Sequence, residues 1–379
     1  MKKSTQILLS ALIVLGLLGG SAAVLRGVQA QSDPVIPDTE GFRFVQSLGA
    51  GYNLGNALDT FGPAVGLDTQ TQWGSPLTTQ EIIATIADAG FATLRLPVTW
   101  NVHVGRAPHY VIDLSWLDRV QEIVDWALDC GMKVILNMHC DDRAWFIPDR
   151  AHEDATREQY IAIWGQIAAR FADYDEELIF EAFNEPRVVG SLLEWAGGTP
   201  SQRAVVNRLN AAFVKTIRSG GGGGYNGMRW LLLPTYAASA EWLPTHALKL
   251  PDDPRVVASV HIYYPRDFAT EHDMGHTAYS EKDRRALERR LRGLYDTFVR
   301  RGIPVYIGEF GLVAKDNTAE RVRYAAHFVQ TAARYGMTCS WWDSGSIPDY
   351  PDYYVLLNRR TLAWIYPEIV EQLTGKELE

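Results

Sequence analysis

The sequence predicts an α/β fold closed into a single (β/α)8 TIM barrel, and three observations carry that reading. Short apolar runs recur along the chain, each followed by a loop and then by a segment with helical spacing of its apolar residues. Eight such runs end near Leu54, Leu96, Met138, Phe183, Leu233, Tyr263, Ile307 and Trp342. They are separated by roughly 30 to 50 residues, as βα units with some long loops would be. Strict alternation of strand and helix asks for a parallel sheet covered by helices. No Gly-x-Gly-x-x-Gly turn follows the first run, which weakens the case for an open dinucleotide-binding sheet.

The elements follow in order. Lys2 and Lys3 precede an apolar run from Ile7 to about Leu25, and Val28-Gln29-Ala30 fits a small-residue cleavage site. Residues 1–30 therefore read as a secretory signal, with an uncleaved membrane anchor as the alternative. The globular part is expected to be secreted, or held at the cell surface by that helix. Residues 31–40, polar and containing Pro34 and Pro37, read as a flexible mature start. The barrel is expected over 41–379, with no Ser/Thr/Pro linker to a further module. Helices are expected over 78–88 with Thr79 as cap, 114–130 stopped by Gly131, 157–174, 201–218, 281–301, 318–335 and 366–373. Gly302 and Gly336 follow two of these as C-terminal stops. The run Gly220 to Gly224 reads as a flexible loop, because no Gly-Lys-Ser/Thr follows it.

Composition narrows the function. The chain has 379 residues, 47% hydrophobic and 21% charged, enough for a large core. A net charge of -9 without a long basic block argues against nucleic acid as partner. Cys130, Cys140 and Cys339 are too few and too odd for a disulfide framework and are expected as free thiols. No Cys-x-x-Cys or His-x-x-x-His spacing points to zinc. The 12 Trp and 17 Tyr suit both core packing and stacking on sugar faces.

A barrel gathers its active site at the carboxyl ends of its strands. The run 178–183 is halted by Pro186, which leaves Glu185 at such an end. The run 303–308 delivers Glu309 in the same way. A buried carboxylate costs several kcal/mol unless paired or bonded, so two at matching positions ask for a reason. Arg95, His139, Asn184, His261, Tyr263 and Trp342 fall at the same rim. Two carboxylates without a metal-ligand set suit glycoside hydrolysis, one protonated and one ionised. Arg95 and the Tyr263 hydroxyl are placed to hold the nucleophile ionised. A histidine and a neighbouring carboxylate would keep the acid protonated. Asn184 would bond a sugar hydroxyl, and Trp342 would floor that sugar.

These residues sit in Gly51-Tyr52-Asn53-Leu54-Gly55-Asn56, Arg95-Leu96-Pro97-Val98-Thr99-Trp100, Asn137-Met138-His139, Phe183-Asn184-Glu185-Pro186, His261-Ile262-Tyr263, Gly308-Glu309-Phe310-Gly311 and Trp341-Trp342-Asp343. In this order and spacing the set resembles glycoside hydrolase family 5, the cellulase family, over essentially the whole mature length. Trp73-Gly74-Ser75-Pro76 and the segment 164–171 resemble its bacterial endoglucanase and xyloglucanase branch, subfamily 4. The resemblance implies a retaining double displacement with Glu185 as acid/base and Glu309 as nucleophile, about 5 Å apart. It also implies Arg95, His139, Asn184, His261, Tyr263 and Trp342 as the supporting set, with Asn53, Trp73 and Cys140 as further candidate substrate contacts. Neither metal nor organic cofactor is implied. Cys140 departs from the family, since many relatives carry a second His there, and this bears on the preferred glycan. The expected activity is endo-β-1,4-glucanase on cellulose-like glucan, xyloglucan or mixed-linkage glucan, by a monomer. The alternatives are a β-mannanase, a non-catalytic glycan-binding barrel and a metal-dependent barrel hydrolase.

Overall fold

The computed structural model describes residues 33–220, 224–270, 276–345 and 354–378. The expected signal segment and the centre of the Gly220 to Gly224 loop lie outside the described residues. Residues Ile36–Glu379 form one compact unit. Ile36, within the stretch expected to be a flexible start, packs against the core, and the first helix opens at Glu40.

Eight parallel strands close into a barrel in chain order. They are β1 (Gly51–Leu54), β2 (Thr93–Leu96), β3 (Lys133–Asn137), β4 (Leu178–Glu181), β5 (Leu231–Ser239), β6 (Val256–His261), β7 (Val305–Phe310) and β8 (Thr338–Asp343). Closure is the pairing of β1 with β8, Asn53 lying opposite Trp342. Outside them run α1 (Glu40–Ser47), α2 (Gln80–Asp88), α3 (Leu114–Asp129), α4 (Glu153–Arg170), α5 (Pro200–Gly220), α6 (Trp242–Ala247), α7 (Arg266–Ala269), α8 (Glu281–Thr297), α9 (Thr318–Arg334) and α10 (Pro367–Thr374). Local signals set their ends. Thr79 accepts the Ile82 amide at the start of α2. Ser280 and Asp283 form a reciprocal capping box at α8, a device worth about 1 kcal/mol. Gly302 and Gly336 take the left-handed φ of +82° and +74° that ends a helix.

Three strands differ from the sequence reading. The ladder of β4 stops at Glu181, so Glu185 stands on the loop beyond it rather than on the strand itself. β5 continues to Ser239 through an irregularity between Pro234 and Ser239, where Ala237 and Ala238 have positive φ. β6 ends at His261, two residues before Tyr263.

Alternation along the strands divides the barrel wall. Val134, Leu136, Leu178, Phe180, Leu231 and Leu233 join the large cluster shared with the helices. Their neighbours Ile135, Ile179, Leu232, Val257 and Tyr306 form a separate interior cluster. Phe44, Val45 and Leu48 of α1 complete that interior cluster, Phe44 stacking on Trp230 at 4.2 Å. Towards the carboxyl ends the interior turns polar: Asn53, Arg95, Asn137, Glu181 and Ser259 are all fully buried. Close packing requires Gly51, where a Cβ would lie 1.7 Å from Ser340 Oγ. The double tryptophan splits as alternation demands. Trp341 is buried against Phe310, and Trp342 is half-buried.

Candidate active site

Arg95 organises the rim. It rises from β2 into the polar layer and is completely buried. Its Nε donates to Glu181 Oε2 at 2.7 Å, its Nη1 to Glu309 Oε1 at 2.7 Å and to Asn53 Oδ1 at 2.8 Å, and its Nη2 to Asn184 Oδ1 at 2.8 Å. Burial works against the guanidinium charge, but Glu181 and Glu309 overcome it and hold Arg95 more firmly protonated than usual. The planar fork thus ties β1, β4, the loop after β4 and β7 together, a role Lys could not fill.

Glu309 lies within β7 and is 5% exposed. One oxygen takes the Arg95 hydrogen bond, and the other accepts the Tyr263 hydroxyl at 2.9 Å. Burial, then Glu309, push the Tyr263 phenol well above its ordinary range, so it stays a neutral donor. Two donors, one of them charged, thus fix both oxygens of Glu309.

Glu185 keeps different company. His261 Nδ1 lies 3.0 Å from its Oε1, and Arg187 Nη1 donates to its backbone carbonyl at 3.0 Å and to its Oε2 at 3.4 Å. Gly308 makes room for the imidazole, since a Cβ there would stand 3.0 Å from His261 Nε2. Burial pushes the Glu185 carboxyl up, yet the His261 hydrogen bond, with the charges of His261, Arg187 and Arg95, outweighs burial and lowers it. The direction differs from the expectation that its neighbours keep it protonated: His261, Arg187 and Arg95 favour its anion. The His261–Glu185 contact still provides a place where a proton can be shared.

One oxygen of Glu185, one of Glu309 and a nitrogen of His261 lie within 4.8 Å of one another. The spacing fits a carboxyl pair that attacks and protonates the same bond, and is shorter than the roughly 6.5–9.5 Å of pairs that place a water to attack the sugar directly. Among the described residues this is also the group able to hold a metal ion, a cluster the spacing of the sequence does not reveal. Arg95 and Tyr263 already engage both Glu309 oxygens, and Arg95 and Arg187 bring positive charge to the same place, which disfavours a cation.

The remaining predicted residues divide. Asn184 is held through its amide oxygen by Arg95, leaving its NH2 group to donate. His139 stacks on Trp342 with ring centroids 5.5 Å apart and 12° between planes. Burial, then Arg95, His261 and Arg187, hold His139 well below its ordinary range, so it is neutral. Asn53, expected as a substrate contact, is a strut instead. It is fully buried, and its Nδ2 donates to the Gly308 carbonyl at 2.9 Å and the Trp341 carbonyl at 3.1 Å. Trp73 sits on the loop after β1, its indole N–H donating to the Phe61 carbonyl at 3.0 Å. Cys140 is half-buried, and burial, then Asp59 and Asp142, push its thiol well up, so it is not a reactive thiolate.

Several participants were not singled out from the sequence. Glu181 is fully buried and accepts from Arg95, from Ser259 Oγ at 2.6 Å and from Asn137 Nδ2 at 3.2 Å. The signal was present as an acid in the apolar run 178–183. Arg187 joins Glu185 to Asp142 at 2.5 Å and Glu194 at 3.0 Å, and its guanidinium lies 4.4 Å from the Trp195 ring centroid. Burial raises Asp142 to about 6, against the pull of Arg187.

The comparisons with known proteins agree with this geometry. The Cellulase (glycosyl hydrolase family 5) profile matches residues 58–347. The Cellulase/esterase CelE of Acetivibrio thermocellus is 43% identical over 358 residues, which cover 93% of this chain and 42% of that protein. The chain therefore spans less than half the length of that relative. A GH5-4 broad specificity endoglucanase from Clostridium acetobutylicum has 41% identity and a TM-score of 0.84, covering 89% of this chain and 100% of the other. XEG5A, a xyloglucan-specific endo-β-1,4-glucanase from a metagenomic library solved with cellotriose, has 37% identity and a TM-score of 0.85, covering 88% and 98%. With the family profile spanning most of the barrel and relatives of this identity along nearly its whole length, the chain, which is similar to GH5-4 endoglucanases, belongs to glycoside hydrolase family 5, the cellulase family.

Proposed function

We propose that this protein is a retaining endo-β-1,4-glucanase that cuts internal bonds of cellulose-like glucan, xyloglucan or mixed-linkage glucan. The observation that carries the reading is the Glu185–Glu309 pair, with oxygens within 4.8 Å, Glu309 bonded by Arg95 and Tyr263 and Glu185 by His261 and Arg187. Glu309, held by Arg95 and Tyr263, attacks the anomeric carbon as the proton shared between His261 and Glu185 passes through Glu185 to the departing glycosidic oxygen. The C–O bond to the leaving sugar breaks and a glycosyl ester forms on Glu309. Ester formation removes the Glu309 charge, which further favours the Glu185 anion. Glu185 then takes a proton from water, the water oxygen attacks the anomeric carbon, and Glu309 departs as carboxylate. Asn184 offers its free N–H to the hydroxyl beside the reacting carbon, where such contacts tighten in the transition state. Trp342, backed by His139, supplies the apolar floor.

The substrate range leans on the relatives, a broad specificity endoglucanase and a xyloglucan-specific enzyme. The charged n-region and apolar run of residues 2–25 favour action outside the cytoplasm, and the domain is read as a monomer. No helix among the described residues is long and apolar enough to cross a membrane.

The test is reducing-sugar release from carboxymethylcellulose, xyloglucan, barley β-glucan, glucomannan and mannan, with Glu309→Gln as the blank and with chelator present and absent. Release from the glucans, insensitive to chelator and absent in Glu309→Gln, is expected, with the anomeric configuration retained in the first NMR-visible product. Release mainly from mannan overturns the substrate, inversion overturns the double displacement, and oligosaccharide binding without turnover makes the protein a glycan-binding barrel.

A further inference from the structure

Arg187 stands two residues beyond Glu185 on the loop after β4, and its buried guanidinium is shared by three carboxylates. Its Nη1 lies 3.4 Å from Glu185 Oε2 and 2.5 Å from Asp142 Oδ2, and its Nε donates to Glu194 at 3.0 Å. The closer Nη1 contact is thus made to Asp142 and not to the acid. Asp142 sits on the turn Cys140–Arg143 that follows β3, and its side chain is 3% exposed. No hydrogen bond from the described residues reaches its Oδ2, which is left to the Arg187 charge.

Anchoring the loop does not call for this second acid. Glu194, the Glu185 carbonyl and the Trp195 ring already hold Arg187, and a carboxylate this deep costs several kcal/mol unless compensated. Arg187 and Glu185 face Asp142 from the loop after β4, and Arg143, Asp141 and Cys140 face it from its own turn. Glu185 in turn faces His261, Arg187, Arg95 and Tyr263, with Glu309 beyond His261. Arg187 also acts on His139 and Tyr236. Burial raises Asp142 to about 6, Arg187 pulls it down, and the Glu185 charge pushes it up. Repulsion between two carboxylates is mutual, so an ionised Asp142 disfavours a second charge on Glu185.

We propose that Asp142 is a positioning residue for the acid step: ionised, it draws on the Arg187 charge and repels the Glu185 anion, and so keeps on the Glu185–His261 pair the proton that the leaving oxygen takes. Asp142 itself gives up no proton in that step. The proposal rests on the glucanase reading above and names the carboxylate that opposes His261, Arg187 and Arg95.

The experiment follows kcat/KM against pH for the natural protein, Asp142→Asn, Asp142→Glu, Arg187→Met and the double variant Arg187→Met with Asp142→Asn. The substrates are cellohexaose and an aryl β-cellobioside with a good leaving group, and circular dichroism melts establish that each variant folds. Asp142→Asn removes a negative charge and leaves the whole Arg187 charge to Glu185. Both changes favour the Glu185 anion, so the alkaline limb on cellohexaose should move about one unit to lower pH, a tenfold loss above it. That shift is opposite in sign to the one expected of Arg187→Met. Asp142→Glu keeps the charge and should hold the limb near its natural place. Without Arg187, burial keeps Asp142 protonated, so the double variant should titrate like Arg187→Met alone. The aryl glycoside needs no proton on its leaving group and should lose little. A limb in Asp142→Asn that stays or moves up, or an equal loss at every pH and on both substrates, reduces Asp142 to a staple between loops and overturns the proposal. Where Asp142→Asn fails to fold, carboxyl-carbon NMR of the natural protein decides: Asp142 and Glu185 should each titrate in two steps, and independent single steps overturn the proposal. A natural protein that cleaves neither substrate refutes the glucanase reading itself, whereas an active one whose limb is unmoved in Asp142→Asn refutes only the part given to Asp142.

Discussion

Replacing Arg95 with Met tests whether the polar layer beneath the site is an obligate charge network. Glu181 is 0% exposed and its cation is Arg95, at 2.7 Å. Removing that cation leaves a carboxylate in the barrel with two neutral donors, Ser259 and Asn137. Breaking a buried pair from one side costs about 3–5 kcal/mol, because the remaining charge keeps its desolvation penalty. Glu309 also loses a partner, but at the mouth it keeps Tyr263 and has access to water, so Glu181 dominates. At roughly 2 °C per kcal/mol for a domain of this size, thermal unfolding should fall by on the order of 8 °C. The second variant decides the cause. In Arg95→Met with Glu181→Gln the carboxylate deepest in the barrel is gone and only Glu309 at the mouth has lost its cation, so about half of the lost stability should return. Circular dichroism melts and urea midpoints of the single and double variants make the measurement. A loss below about 1 kcal/mol, or a double variant no more stable than Arg95→Met, would refute the argument that Arg95 is held there by Glu181.

Glu185→Ala should slow substrates with poor leaving groups far more than aryl glycosides with good ones, by roughly 10²-fold or more, since only the former need the proton; equal losses across a leaving-group series contradict the acid role. Arg187→Met removes a cation that lowers Glu185, so the alkaline limb of kcat/KM against pH should move to higher pH, and an unmoved limb would reduce Arg187 to a loop anchor. Burial raises Asp141 to about 7 and Asp59 to about 6. The native state therefore holds protons that the unfolded state releases near pH 4, and stability from these groups is present at low pH and lost as pH rises towards 6 to 7. Asp141→Asn should flatten the fall of the unfolding free energy between pH 4 and 7, and an unchanged slope would count against a buried, proton-holding Asp141.

Much of this protein is written locally. Apolar runs of strand length, glycine stops after helices and the Thr79 cap are properties of neighbouring residues, so the order of eight strands and their helices can be read along the chain. A barrel sends every strand end to one rim, and so Arg95, His139, Asn184, Glu185, His261, Tyr263, Glu309 and Trp342 could be grouped before any contact was known. Asn53 was misread because a polar residue at a strand end looks the same whether it faces solvent or fills the interior layer. Its burial is decided by Arg95 and the β7 and β8 carbonyls around it.

What the tertiary structure alone decided is which charges meet. Arg95 reaches Glu181 across 86 residues and Glu309 across 214, separations over which no periodicity carries information. The direction of the Glu185 shift is of the same kind. Burial alone would raise that carboxyl, and His261, Arg187 and Arg95, brought from other segments, reverse it. Sequence by itself determined the barrel and the two carboxylates, because strand-forming runs and rim positions depend on near neighbours. Their partners and their charges were left to the fold, because Coulomb and desolvation energies depend on distance and burial, which exist only once the barrel has closed.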